Sequence, residues 1–192
     1  QQIMEGSAPG DHAHPELQAD LRMLLMSQDM QDMPSLLPST RDSIVPGIEG
    51  CEPIWEEPGH HHIARPSRGL PDPLLRVLKA ADNWSFDAFA LHDATHGRPL
   101  SVLAYWLLHS SGLIKWAHLD GVKLARFLRA VEEGYPHNPY HNRTHAADVL
   151  QTFHVLLTRG GLLPGYADQL TLLGCYLAAI VHDYEHRGRT ND

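Results

Sequence analysis

His182 and Asp183 set an imidazole and a carboxylate side by side where a long apolar run turns polar, in the stretch IVHDYEHRGRTND from Ile180 to Asp192. An ionised Asp at such a place needs a cation or strong donors to offset its lost hydration. Upstream, YHNRTHAADV (Tyr140 to Val149) carries His141 and His145 four residues apart, with Asp148 one turn further on. On a helix that spacing puts both rings on nearly one face, with Cβ atoms about 6 Å apart. Two histidines so spaced are common by chance, and the pair alone says little. Joined with the second stretch, His145, His182 and Asp183 make three mixed N/O ligands for one divalent ion. A carboxylate can also bridge two ions, which a neutral imidazole nitrogen cannot. Two divalent ions about 3.5–4 Å apart that share an Asp and a water form a site that activates water and clamps a phosphoryl group for in-line displacement.

The chain has 15 histidines in 192 residues, and most of them read differently. His60, His61 and His62 lie in a Pro/Gly-rich stretch where nothing fixes the rings. His92, His96, His109 and His118 sit singly on helices or at their ends and read as surface or capping groups.

Past residue 70 the apolar spacing is helical nearly throughout. PDPLLRVLKAAD starts on proline and repeats Leu74, Leu75, Val77 and Leu78; after a DNWS break, WSFDAFALHDATHG carries Phe86, Phe89 and Leu91 to a stop at Gly97. Pro99 opens PLSVLAYWLLHSSG, and Asp120 is a candidate N-cap for GVKLARFLRAVEEG, which ends at Gly134. A further helix is predicted from Arg143 to Thr158. The last, ADQLTLLGCYLAAIVHDYEH, is apolar on nearly all sides from Leu170 to Val181, which predicts a buried helix. No stretch alternates with period two, so the predicted fold class is all-α.

Charge divides the chain. Residues 1–58 hold eleven Asp and Glu against two Arg and no Lys, whereas the remainder has twelve acids and thirteen bases; the net charge of −8 therefore belongs to the N-terminal segment. Ten of the fourteen prolines lie at or before Pro73. Residues 1–70 read as an acidic, Pro-rich linker or disordered arm, and 71–192 as the globular part. Acidity without a basic stripe argues against nucleic-acid binding. Within the arm, PELQADLRMLLMSQDM could form a short amphipathic helix with Leu17, Leu21, Leu24 and Leu25 on one side, a transient element or one that docks on a partner. Cys51 and Cys175 give no disulfide framework, no apolar run reaches the length of a membrane span, and there is no signal peptide at the start. The expected compartment is the cytoplasm, with membrane association through other parts of a longer parent chain left open. A first residue of Gln rather than Met suggests such a parent.

The two motifs also carry a family resemblance. YHNxxHAADV followed by HDxxHxGxxN resembles the class I 3',5'-cyclic nucleotide phosphodiesterases, and both halves stand here as Tyr140 to Val149 and His182 to Asn191. WSFDAF and PLSVLAYWLLHSSGLI resemble the helical entry to the same catalytic domain, so the likeness covers roughly residues 72–192. It implies the N-terminal helical portion of such a domain, hydrolysing cyclic AMP or cyclic GMP to the 5'-monophosphate, with two divalent metal ions (zinc, and magnesium or manganese). His145, His182 and Asp183 would be metal ligands, Asp183 bridging to the second ion. His141 would be the general acid that protonates the departing O3'. Tyr140 and His186 would line the site around the phosphate, while Asp148 and Asn191 would orient ligands. Glu185 departs from the Asp that many members have there.

In the family a later Asp completes the first ion's coordination, a later Glu holds a metal-bound water, and a later Gln with a hydrophobic clamp binds the purine. None falls within these 192 residues, so the expectation is of a piece of a longer enzyme, inactive and poorly folded by itself. Two other readings stand beside it. Another HD-type metal phosphohydrolase would share His145, His182 and Asp183 without needing YHN or HxGxxN, and a non-catalytic helical module would carry an incomplete site.

Overall fold

Helix starts in this chain are written locally, by proline at first-turn positions and by short polar side chains that accept orphan backbone N–H groups. In the computed structural model, which describes residues 15–26, 70–163 and 165–189, these signals yield eight α-helices and no strand among the described residues. They are α1 (Pro15–Met26), α2 (Asp72–Lys79) with a tight turn over Ala80–Asp82, α3 (Ala88–Ala94), α4 (Pro99–Ser110), α5 (Leu113–Trp116), α6 (Gly121–Glu133), α7 (Arg143–Arg159) and α8 (Gln169–Val181). The all-α class holds. Asp120 caps α6 by accepting from the Lys123 N–H, and Asp87 and Asp168 do the same for α3 and α8.

The centre of the bundle is α4, buried at nearly every position from Pro99 to Leu108 and packed against α1, α5, α6, α7 and α8. The prediction of an all-round buried helix fell on α8 instead. There Leu172, Tyr176, Ala179 and Ile180 are buried, while Leu170 and Val181 are exposed, so the described helices cover one face only. Apolarity is similar in the two helices, and what separates them is how many neighbours the chain folds around each.

A buried carboxylate anchors α4. Glu132 of α6 accepts from the Leu100 N–H at 2.8 Å, the Ser101 N–H at 3.2 Å and the Ser101 hydroxyl at 2.6 Å. A negative group at a helix N-terminus satisfies orphan donors and opposes the positive dipole end. Burial nevertheless pushes its carboxyl above the ordinary range, against the pull of the Ser101 hydrogen bonds.

The N-terminal helix corrects the expectation of a loose arm at residues 15–26. Leu17, Leu21 and Leu24 are buried in the core with α4 and α6. Arg98 donates to the Leu24 carbonyl at 2.8 Å and Arg129 donates to it at 3.1 Å, so two guanidinium groups close the carbonyl end of α1. The Tyr105 hydroxyl donates to Asp20 at 2.6 Å. The leucines expected to be idle or to serve a partner are used within the chain itself. Their partners are more than 70 residues away in sequence, as the Arg98 bond shows, which is why composition alone misjudged them. The rest of the arm, including Cys51 and His60 to His62, lies outside the described residues. Among the described residues no helix is long and apolar enough to cross a membrane.

Candidate metal centre

Two helix ends meet to form the site. The start of α7 brings His145, and the turn after α8 brings His182 and Asp183, since α7 and α8 pack along each other. Asn142 makes the first of these ends: its side-chain oxygen accepts from the Thr144 N–H at 2.9 Å and the His145 N–H at 3.0 Å. The helix therefore begins at Arg143, and His141 lies outside it. This corrects the picture of His141 and His145 on one helical face; the loop instead brings their rings to 5.8 Å, edge to face.

The candidate ligand atoms of His145, His182 and Asp183 all lie within 4.8 Å of one another. His145 Nε2 is 3.4 Å from Asp183 Oδ2, and His182 Nε2 is 3.1 Å from the same oxygen. The tautomer of His182 follows from its other nitrogen. Nδ1 stands 2.9 Å from the Ala179 carbonyl, which can only accept, so Nδ1 carries the hydrogen. In neutral His182 the Nε2 lone pair then faces a carboxylate oxygen. Two acceptors at that distance require a proton or a cation between them. Burial, reinforced by His182, pushes the His145 pKa below its ordinary value and favours the neutral, ligating form. A mixed N/N/O donor set of this kind fits a divalent transition metal.

The other expected site residues take distinct places. His141 stacks on His186, ring centroids 3.9 Å apart and planes 24° apart. His186 Nδ1 accepts from the Gly188 N–H at 2.9 Å, which leaves the hydrogen on Nε2. Tyr140 is exposed and packs against His145 at 4.4 Å between centroids. It shares with His145, Asp148, Phe86 and Phe89 the wall of an open cavity of about 360 Å³. Asp148 is exposed on that wall, and its charge partly offsets the lowering at His145. Glu185, the departure from the family pattern, adopts a left-handed backbone (φ 58°) with its side chain exposed. Asn191 lies outside the described residues.

Sequence reasoning missed Tyr135. It is buried, and its hydroxyl donates to the Ile180 carbonyl at 2.9 Å while accepting from the Asp183 N–H at 3.4 Å. It thus ties off the end of α8 at the ligand pair itself. Burial pushes its phenol up to about 12. Nothing local marks it, because its partners lie more than 40 residues on.

Residues 140–192 match the family model described as 3'5'-cyclic nucleotide phosphodiesterase. The match takes in every expected site residue from Tyr140 to Asn191. Among curated relatives, a Drosophila melanogaster dual specificity calcium/calmodulin-dependent 3',5'-cyclic nucleotide phosphodiesterase 1 is 45% identical over 126 residues, which cover 64% of this chain and 15% of that protein. A human enzyme named as form 1B of the same group is 42% identical over 120 residues, 62% of this chain and 22% of the relative. A Caenorhabditis elegans protein named as a probable 3',5'-cyclic phosphodiesterase is 36% identical over 125 residues, 64% of this chain and 19% of the relative. The chain thus spans between 15 and 22% of the length of these phosphodiesterases.

Proposed function

We propose that the protein acts in metal-dependent hydrolysis of 3',5'-cyclic nucleotides to nucleoside 5'-monophosphates. The observation that carries this reading is the convergence of His145 Nε2 and His182 Nε2 on one oxygen of Asp183, inside a segment that matches the phosphodiesterase family. His145, His182 and Asp183 would hold a divalent ion, zinc by its liking for imidazole, and the free acceptor capacity of Asp183 would serve a second ion, magnesium or manganese. Such ions supply Lewis-acid polarisation of the phosphoryl group and a more acidic water.

The chain's own residues do the rest. Hydrolysis breaks the P–O3' bond and adds water at phosphorus, so a proton must reach O3'. His141 is the candidate donor: it lies outside the ligand set, beside it, with a ring free of the metal and stacked on His186. The His182 Nδ1 hydrogen bond to Ala179 aims Nε2 at the ion, as outer partners of ligating imidazoles do. Tyr140 and Phe89, both exposed on the adjoining cavity, offer aromatic surface beside His145.

The test is to purify the full-length protein, load it with Zn²⁺ and Mg²⁺ or Mn²⁺, and follow cyclic AMP and cyclic GMP. Turnover is expected, with loss of divalent-ion binding by calorimetry in Asp183→Asn and loss of turnover with retained binding in His141→Ala. Full activity of both variants would sink the reading.

A further inference from the structure

His141 and His186 come from loops 45 residues apart in sequence, yet their rings stack. A third residue holds both. Asn138, half-buried in the loop after α6, donates from Nδ2 to the His186 carbonyl at 2.8 Å and to the His141 carbonyl at 3.3 Å. Its own carbonyl accepts from Asn142 Nδ2 at 3.0 Å, so the residue that caps α7 also fixes the backbone of Asn138. Close approach is built in on the far side. Gly188 has φ +69°, and a Cβ there would stand 3.0 Å from Asn138 Oδ1, so glycine lets the loop lie against the amide while its N–H orients the His186 ring. A primary amide has two N–H donors on one nitrogen, which is what two converging carbonyls need; a carboxylate of the same shape has none.

We propose that Asn138 is a positioning residue for the hydrolysis argued above: it clamps the His141 and His186 backbones together and so keeps the proton-donating imidazole of His141 stacked and in register with the ligand set. The inference rests on that functional reading for its effect on rate, but its structural half stands on the stack alone. Asn138 touches none of the three ligand atoms' side chains among its hydrogen bonds, so it acts through His141 and not on the ion. A displacement of about 1 Å at a catalytic group can cost roughly 100-fold in rate.

The experiment uses the full-length, Mn²⁺-loaded protein and the variants Asn138→Ala and Asn138→Asp, the second preserving shape in case the first fails to fold. The expected result is a fall in kcat of about 10- to 100-fold, with KM and Mn²⁺ affinity within about twofold. In a His141→Ala background the same change should cost less than about twofold more, because residues that act as a unit are not additive. Histidine ring proton resonances of His141 and His186 should shift together as the stack opens. An unchanged kcat, a fully additive loss in the His141→Ala background, or unmoved ring resonances would each overturn the proposal. A wild-type protein that hydrolyses no cyclic nucleotide refutes the functional reading, and the ring resonances then decide the clamp independently.

Discussion

Replacing Leu21 by Ala separates a docked α1 from a loose one. Leu21 is completely buried, between Leu17 and Leu24 on the face that meets α4 and α6. Truncating a fully buried Leu loses the transfer free energy of the removed carbons and leaves a cavity, together roughly 2–5 kcal/mol. For a chain of this size each kcal/mol moves the melting midpoint by about 2–4 °C. A cost near 3 kcal/mol therefore lowers the midpoint by roughly 6–12 °C. Ala19, exposed on the same helix, is the control: Ala19→Ser should stay within about 0.5 kcal/mol of wild type. Thermal unfolding followed by circular dichroism gives both numbers. If Leu21→Ala melts together with Ala19→Ser, α1 is not part of the cooperative core, and the argument from Arg98, Arg129 and Tyr105 fails with it.

Two further outcomes test the links between core and site. Tyr135→Phe removes the donor to the Ile180 carbonyl and the acceptor of the Asp183 N–H; it should cost about 1–3 kcal/mol of stability and weaken Zn²⁺ binding by roughly 10- to 100-fold, the range for groups that orient ligands. Calorimetric affinity equal to wild type would show that Asp183 does not depend on this tether. Glu132 gives a pH signature. Its folded pKa is raised above the ordinary 4.5, so its proton-linked contribution to stability is full below that value and is lost as pH rises through the folded pKa. Melts between about pH 4 and 8 should show Glu132→Gln with a flatter profile than wild type, and parallel profiles would refute the assignment.

Much of the fold was legible because the signals are local. Pro99 starts α4, Asp120 caps α6, and Gly160 follows the end of α7, each within a residue or so of where the spacing put it. The pairing of His182 with Asp183 was legible for a different reason: the two are adjacent in the chain, so their meeting at 3.1 Å needs no long-range fold. His145 had to be brought in by the packing of α7 on α8, and only the motif pair hinted that it would be.

The sequence by itself determined the helical class, most helix ends, and the residue types that can hold a metal and donate a proton. Tertiary structure alone decided three things. It buried α4 rather than α8, docked α1 instead of leaving it loose, and recruited Tyr135 and Asn138 to hold the two site loops. Caps and periodicity act over a few residues, where the chain's own geometry sets who meets whom. Burial and clamping depend on partners tens of residues away, and those meet only once the hydrophobic faces have found one another.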